Sequence, residues 1–235
     1  MTISVIIPTL NEERIIANTI LRTADLGFDE LIIVDGGSTD QTSAIVASLI
    51  SGTQPSTLST VRLLSAPHGR ARQLNVGARA SRGDIFIFLH ADTQLPITAK
   101  QDIVAACTDN VTVGGRFDVQ FDRPSMLAQI ISTFMNWRSR WSGIATGDQA
   151  IFVKRGAFDQ LGGFADIPLM EDIDFSRRLK RVGRIAMLRD RVVTSFRRWE
   201  AHGPIKTILL MWGLRFLYWT GVSPHQLQRF YIAVR

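Results

Sequence analysis

The chain has 235 residues, enough for one large domain with a full core, and its 46% hydrophobic and 20% charged residues exclude a disordered protein. The single cysteine, Cys107, excludes an internal disulfide and a cysteine-built zinc site, and it fits a reducing compartment. The net charge of +6 indicates polyanionic partners, which are nucleic acids, anionic lipids or phosphorylated small molecules.

The first fifty residues alternate apolar runs with helical stretches. Residues 4–8 and 31–35 are each predicted as a buried strand. Asn11 is a good N-cap for a helix that runs to about Asp25, and a second helix is expected near residues 41–51. This βαβα order predicts a right-handed, mainly parallel sheet.

A dinucleotide-binding Rossmann domain is the first alternative, because Asp35 stands where an acid could hold a ribose. That fold requires the pattern G-x-G-x-x-G after the first strand, whereas residues 8–13 are PTLNEE. Two carboxylates in this turn would repel a pyrophosphate. The dinucleotide interpretation is therefore excluded.

Two arginines open the next predicted helix. Residues 51–57 form a polar loop, residues 61–64 form a third strand, and the helix then begins near Gly69 with Arg70 and Arg72 in its first turn. Arginine at a helix N-terminus opposes the helix dipole and is a poor choice for stability alone. The position favours a phosphate contact for at least one of them, with simple solvation as the alternative.

Residues 85–96 are the centre of the predicted fold. Five apolar residues, 85–89, predict a strand buried on both faces, and Pro96 prevents the strand from continuing. His90 and Asp92 therefore lie at the carboxyl edge of the sheet, where ligands bind in open α/β folds. A carboxylate beside an imidazole suits a divalent cation that bridges phosphates. The alternative is that Asp92 begins a turn and caps the following helix.

The second half of the chain adds further elements and a cluster of acids. The expected elements are a helix near 97–107, a strand over 113–121, an aromatic helix over 125–141 and a short strand over 150–153. Core packing explains most of the aromatic residues of that helix, among them Phe134, Trp137 and Trp141. Glu171, Asp172 and Asp174 then crowd a helix start, which is either a favourable interaction with the dipole or the position of a general base.

A basic run extends from Arg177 to Arg198, and residues 207–219 then form a strongly apolar segment. The segment is shorter than the roughly 20 residues of a membrane-spanning helix, and Arg215 interrupts it. An amphipathic helix packed on the domain and an interfacial helix on a membrane both remain open. We expect residues 1–203 to form the main domain and residues 204–235 a C-terminal apolar helical segment.

In this order, the motifs resemble those of family 2 glycosyltransferases, which are inverting nucleotide-sugar enzymes with the GT-A fold. The matching segments are SVIIPTLNEE, IIVDGGSTD, GRARQLNVG, LHADTQ at the DxD position and MEDID at the ED position. Together they cover roughly residues 3–200. The resemblance implies a GT-A-type, Rossmann-like mixed sheet, mainly parallel and flanked by helices.

The resemblance also implies roles for individual residues. Asp172 would be the general base, with Glu171 beside it. Asp92 would hold Mg²⁺ or Mn²⁺ on the donor diphosphate. The residues that it places around the nucleotide sugar are Pro8, Thr9, Glu12, Asp35, Arg72, Asp92, Arg198 and Trp199.

Two departures from the family pattern bear on these roles. His90 replaces the first aspartate of DxD, so that metal ligand is neutral or absent, and Gln94 becomes a candidate additional ligand. Residues 195–199, SFRRW, resemble a degenerate QxxRW motif with serine in place of glutamine. Processive polymerisation is therefore not expected.

The expected activity is transfer of a sugar from a UDP- or GDP-linked donor to an acceptor hydroxyl, on a lipid or another hydrophobic molecule. The main alternative is a non-catalytic nucleotide- or glycan-binding module of the same fold. A nucleic-acid-binding protein is indicated by the pI alone, and we expect no nucleic-acid partner. Because the first residues lack a basic signal-peptide region, we expect a cytoplasmic protein. The apolar C-terminal segment and its basic neighbours add the expectation of peripheral contact with the inner face of the cell membrane.

Overall fold

A computed structural model describes residues 1–52 and 60–234, without the side chains of residues 198, 201, 202 and 232–234. Most of the polar loop predicted over residues 51–57 lies outside the described residues. The strands are β1 (Ile3–Thr9), β2 (Glu30–Asp35), β3 (Val61–Ser65), β4 (Ile85–Phe88), β5 (Thr93–Gln94), β6 (Thr112–Phe121), β7 (Ile151–Lys154) and β8 (Arg184–Thr194).

The helices are α1 (Ile16–Ala24), α2 (Thr42–Ser51), α3 (Arg70–Ala80), α4 (Ala99–Ala106), α5 (Met126–Ser142), α6 (Arg155–Gln160), α7 (Glu171–Leu179), α8 (Arg197–His202), α9 (Pro204–Trp219) and α10 (Pro224–Val234). A 3-10 turn at Gly147–Gln149 precedes β7.

The strands form one mixed sheet in the order β3-β2-β1-β4-β7-β6-β8-β5. The first four strands in this order are parallel, and β7 is antiparallel to both β4 and β6. β6 and β8 are parallel to each other, and β5 pairs antiparallel with β8. The mixed, mainly parallel sheet flanked by helices is therefore confirmed.

Helices cover both faces of the sheet. Because side chains alternate along a strand, Val5 and Ile7 of β1 pack in one core with Ile16 and Ile20 of α1, whereas Ile6 packs in the other core. The second core contains α3, α6 and α7 and a group of five phenylalanines, Phe86, Phe88, Phe158, Phe164 and Phe175. This double burial explains why the strands are continuously apolar.

The turn after β1 differs from the prediction. Asn11 does not cap α1, which begins at Ile16. Instead Asn11 adopts a left-handed backbone with φ of 56°, and its side-chain oxygen accepts a hydrogen bond of 2.8 Å from the Thr39 amide. The Asn11 side chain therefore joins the turn after β1 to the turn after β2.

The longest strand, β8, was not predicted. The sequence indicates only a basic run here, because the arginines at residues 184, 189 and 191 hide the alternation of apolar and polar residues that is typical of a strand. Pairing with β6 decides the conformation, since Asp118 to Phe121 align with Arg191 to Thr194. Tertiary pairing outweighs local composition here.

The prediction that core packing explains the aromatic residues of α5 was wrong. Phe134, Trp137 and Trp141 are 40%, 60% and 81% exposed. They contact one another in series, and Phe134 stacks on Trp212 of α9 with ring centroids 5.3 Å apart. We call Phe134, Trp137, Trp141 and Trp212 the aromatic stripe.

The C-terminal helices pack on the domain. Leu214 of α9 and Leu227 of α10 are buried against Met170, the residue just before α7. Other large side chains of α9, such as Leu209 and Phe216, are exposed. Within residues 1–52 and 60–234, no helix has the length and apolar character needed to cross a membrane.

The contact between α3 and the sheet gives a stability prediction. A Cβ at Gly77 would lie 2.4 Å from Ile6 Cγ2 and 3.0 Å from Val34 Cγ2, so Gly77→Ala must displace the helix. We expect the free energy of unfolding in urea to fall by about 1–3 kcal/mol. The matched control is Gly213→Ala in α9, where a Cβ meets nothing within 4 Å and the helix should gain up to about 1 kcal/mol. Equal stability of the two variants would contradict this packing.

Candidate active site

A cleft of about 350 Å³ opens at the carboxyl ends of β1 and β4. Pro8, Thr9 and Glu12 line it from the turn after β1, and His90 and Asp92 line it from the end of β4. The opposite wall contains Asp172 of α7, Trp199 of α8, Arg215 of α9 and Tyr231 of α10. The topology thus gathers side chains that lie more than 200 residues apart in sequence.

Two charged neighbours hold the His90 ring. Its Nδ1 atom lies 3.1 Å from Asp148 Oδ1, and its Nε2 atom lies 3.3 Å from a terminal guanidinium nitrogen of Arg70. Because Arg70 can only donate, Nε2 accepts and Nδ1 carries the proton that is donated to Asp148. Gly147 leaves room for this ring, since a Cβ there would lie 2.3 Å from Nε2.

Arg70 also forms an ion pair with Glu171, which joins the first turn of α3 to the first turn of α7. The Glu171 side chain is only 2% exposed. Burial lowers the pKa of Arg70, but the charges of Glu171 and Asp172 outweigh burial and raise that pKa above its ordinary value. Arg70 is therefore a fixed positive charge between the two halves of the cleft.

Backbone amides orient the carboxylate of Asp172. The Gly147 amide donates to Oδ2 at 2.8 Å, and the Ile173 amide donates to Oδ1 at 2.7 Å. Asp172 also lies in the first turn of α7, where the helix dipole favours a negative charge. The side chain is thus pre-organised while it remains in the wall of the cleft.

The structure brings seven of the sequence-predicted residues to the cleft. They are Pro8, Thr9, Glu12, His90, Asp92, Asp172 and Trp199. The Trp199 ring lies parallel to that of Phe196, with centroids 6.1 Å apart, and the carboxylate of Glu12 lies 3.4 Å from a guanidinium nitrogen of Arg197.

Four predicted residues have other partners, which differs from expectation. Glu171 is buried against Arg70 and is not part of the cleft wall. Asp35 accepts hydrogen bonds from the amides of Gly37 and Ser38 and thereby holds its own turn. Arg72 donates to both carboxylate oxygens of Asp166 at the surface. Gln94 accepts a hydrogen bond from Arg22.

The side chain of Arg198 lies outside the described part of the structure. Of the two arginines that open α3, it is Arg70 that reaches the cleft, whereas Arg72 does not. The unfavourable interaction with the helix dipole indicates a phosphate contact for at least one of the two arginines, but it does not show which one.

Other residues of the cleft were missed from the sequence. Asp148 fixes His90, and Gln73 donates to the carbonyl oxygens of Thr9 and Val34, both at 2.8 Å, so that it ties the ends of β1 and β2 together. Arg215 and Tyr231 also line the cleft. The only sequence signal for Arg215 was its interruption of an apolar run.

The donor set for a divalent cation is small. Among the described residues, no three His, Cys, Asp or Glu side chains cluster closely enough to hold a metal ion. Both ring nitrogens of His90 already have partners, and Gln94 does not line the cleft. Asp92 presents a carboxylate in the wall of the cleft, which would fit a cation whose other ligands come from substrate phosphates and water.

A comparison with protein-family models matches residues 4–164 to the family described as "Glycosyl transferase family 2". Among curated proteins, the chain is 27% identical over 197 residues to "Probable glycosyltransferase YdaM" of Bacillus subtilis, which covers 77% of this chain and 47% of that protein. It is 29% identical over 118 residues to "Undecaprenyl-phosphate 4-deoxy-4-formamido-L-arabinose transferase" of Enterobacter sp., covering 48% of this chain and 36% of that protein. The chain thus spans about half or less of these relatives.

Solved structures share the fold. The mannosyltransferase PcManGT from Pyrobaculum calidifontis, in complex with GDP-Man and Mn²⁺, aligns with a TM-score of 0.65 and 22% identity over 81% of this chain and 56% of that one. S. aureus TarS in complex with UDP-GlcNAc aligns with a TM-score of 0.63 and 18% identity over 83% of this chain and 58% of that one.

The ion pair between Arg70 and Glu171 gives a prediction that a double-mutant cycle can test. Arg70→Gln and Glu171→Gln should each destabilise the protein, because each leaves the partner's charge unpaired, and the double variant should recover about 1–3 kcal/mol of coupling free energy. The matched control is the exposed pair of Arg72 and Asp166, whose coupling should stay below about 1 kcal/mol. Equal coupling in the two cycles would contradict a special role for the first pair.

Proposed function

The chain belongs to glycosyl transferase family 2, and on this premise we propose that it is an inverting glycosyltransferase that moves a sugar from a nucleoside-diphosphate sugar to an acceptor hydroxyl. The observation that carries the proposal is the cleft in which Asp172, oriented by two backbone amides, shares a cavity with Asp92 and the turn after β1. This reaction requires a general base, a carboxylate near the donor phosphates and a recess large enough for a nucleotide.

The donor lies along the carboxyl ends of β1 and β4 in this proposal. Pro8, Thr9 and Glu12 contact the nucleotide, and Trp199 contacts the sugar or acceptor. Complexes with UDP-GlcNAc and with GDP-Man among structures of the same fold support a nucleotide-sugar donor here. Asp35 and Arg72, which are bound to their own partners, would have to exchange those partners to reach the donor.

Asp92 would hold Mg²⁺ or Mn²⁺ together with the donor phosphates. When bound, such a cation neutralises charge on the departing diphosphate. Arg70 adds a fixed positive charge from the protein itself, because its pairing with Glu171 keeps it at the cleft. The Mn²⁺ in the PcManGT complex supports a divalent cation in this chain.

Asp172 performs the proton transfer. Its carboxylate accepts the proton of the acceptor hydroxyl as the oxygen forms a bond to C1 of the sugar, and the bond between C1 and the diphosphate oxygen breaks. Attack from the face opposite the leaving group inverts the anomeric centre. Because Gly147 and Ile173 fix the carboxylate, positioning supplies much of the rate.

A hydrophobic acceptor is supported by exposed aromatic residues, because α9, which carries Trp212, also lines the cleft through Met211 and Arg215. The aromatic stripe on α5 and α9 is exposed, and tryptophan favours the interface between membrane and water. The name of the Enterobacter relative, an undecaprenyl-phosphate transferase, supports a lipid acceptor and peripheral contact with a membrane.

A second candidate function is a non-catalytic nucleotide- or glycan-binding module. The observation that favours it is His90, whose two ring nitrogens are occupied by Asp148 and Arg70 at a position where the family has a carboxylate. Such a module would bind a nucleotide sugar without transferring the sugar, so the two functions differ in turnover.

Replacement of the proposed base separates transfer from donor binding. Asp172→Asn should lower kcat by at least about a hundredfold, because the amide cannot accept the proton, and it should leave nucleotide-sugar affinity within about twofold. Transfer is measured by release of nucleoside diphosphate in the presence of acceptor. Asp174→Asn on the same helix, where Asp174 is paired with Arg178, should retain transfer. Parallel loss of binding and transfer in Asp172→Asn would instead assign a structural role to Asp172.

Replacement of the proposed metal ligand tests cation binding. Asp92→Ala should remove the effect of Mn²⁺ on the affinity for nucleoside diphosphate, as measured by calorimetry with metal and with chelator. Asp159→Ala, on the exposed surface of α6, serves as the control and should keep that effect. An unchanged Mn²⁺ effect in Asp92→Ala would show that Asp92 is not a ligand.

A further inference from the structure

Two arginines beside the cleft have no ion-pair partner among the described residues. Arg138 lies on α5, and Arg215 lies on α9 in the wall of the cleft that also contains Asp172. No Asp or Glu oxygen lies within ion-pair distance of either guanidinium in the described part of the chain. Both side chains are partly removed from water.

Burial of the guanidinium group destabilises the folded protein more for Arg138 than for Arg215. Its Nε and one terminal nitrogen are buried without any hydrogen-bond partner. Burial and then the nearby charge of Arg215 lower the pKa of Arg138 to about 10. Burial also lowers the pKa of Arg215, although Asp172 and Asp148 oppose that change. Two cations that repel each other while partly removed from water destabilise the fold unless an anion pairs with them.

Other buried arginines among the described residues have ion-pair or carbonyl partners, although Nε of Arg116 has no hydrogen-bond partner. Arg116 is the largest fully buried side chain, and both it and Arg140 form ion pairs with Asp118. Arg155 donates to the carbonyl oxygens of Ser81 and Gly83. Against this background, the missing partner of Arg138 and Arg215 points to an anion that the protein chain does not supply.

We propose that Arg138 and Arg215 form a subsite for a phosphate group carried by the acceptor. This inference rests on the proposed glycosyltransferase function and adds the chemical class of the acceptor, a phosphate-bearing alcohol. Arginine presents a planar fork of donors that matches phosphate oxygens, and those oxygens would accept hydrogen bonds from the unpartnered nitrogens of Arg138.

The pair comes from different elements of the fold than the groups assigned to the donor phosphates. The donor diphosphate is assigned to the end of β4, near Asp92 and Arg70, whereas Arg215 comes from α9. Arg138 directly follows Trp137 on α5, and Arg215 is three residues after Trp212 on α9, so the pair and the aromatic stripe belong to the same two helices. A phosphate bound by this pair would lie near Asp172, because the charge of Asp172 acts on both guanidinium groups.

The bond changes of the reaction remain those of sugar transfer. The acceptor hydroxyl oxygen bonds to C1, its proton passes to Asp172, and the nucleoside diphosphate leaves with the electrons of the C1–O bond. Arg138 and Arg215 bind the acceptor phosphate, and no covalent bond of that phosphate forms or breaks. They therefore set affinity for the acceptor and its position.

The test is calorimetric titration of inorganic phosphate into protein saturated with nucleoside diphosphate, so that the donor site is already filled. The wild type should bind phosphate, and Arg138→Gln and Arg215→Gln should each weaken that binding by about tenfold, the loss of one charge-assisted contact. Arg189→Gln, which removes an exposed arginine of β8, is the matched control and should change it less than about twofold. The proposal would be overturned if the wild type bound no phosphate. It would also be overturned if both arginine variants bound phosphate as tightly as the wild type.

Stability distinguishes a binding role from a structural role. Because Arg138 is an unpaired buried cation, Arg138→Gln should unfold in urea at the same or a higher denaturant concentration than the wild type. A clear loss of stability together with the loss of phosphate binding would mean that Arg138 supports the fold. Weaker binding of nucleoside diphosphate in the variants, with normal phosphate binding, would assign the pair to the donor and would also overturn the proposal.

Vesicles distinguish a lipid phosphate from a soluble one. Binding to phosphatidylcholine vesicles that contain phosphatidic acid, but not to pure phosphatidylcholine, and loss of that binding in both Arg138→Gln and Trp137→Ser, would support a lipid source. Arginine-dependent binding of inorganic phosphate without vesicle binding would support a soluble phosphorylated acceptor. Binding of nucleoside diphosphate is measured in a separate titration. Absence of nucleotide binding is therefore distinguished from absence of phosphate binding by the arginine pair.

Discussion

The ion pair between Arg70 and Glu171 is the interaction on which the cleft depends. It joins the first turn of α3, which packs on the parallel half of the sheet, to the first turn of α7, which packs on the same face near β7. The same guanidinium contacts His90, and the residue after Glu171 is the proposed base. Loss of this pair would therefore disturb both walls of the cleft at once.

Charge in the cleft is arranged in two ways. On the β4 side Arg70 is paired with Glu171, and His90 is paired with Asp148. On the α9 side Arg138 and Arg215 have none among the described residues. The paired side is pre-organised before substrate arrives, whereas the unpaired side is completed by an anion. This contrast is the physical basis for assigning donor and acceptor to different walls.

Much of the fold could be predicted from the sequence, because the continuous apolar runs of β1, β2 and β4 leave few alternatives to a parallel sheet. β8 could not be predicted, since its conformation comes from pairing with β6 rather than from its own alternation. Asp92 and Asp172 were identified by motif, and the structure places both in the cleft. Arg138, by contrast, has no local signal, because its lack of a partner exists only in the folded protein.

The central claim is that the cleft binds a nucleoside-diphosphate sugar. Calorimetric titration of the purified protein with UDP, GDP and their sugars, with Mn²⁺ and with chelator, tests it most directly. The account predicts micromolar binding of one nucleoside diphosphate that is stronger with Mn²⁺ than with chelator. Absence of binding to every one of these compounds, with and without metal, would contradict the account and leave a GT-A fold without donor chemistry.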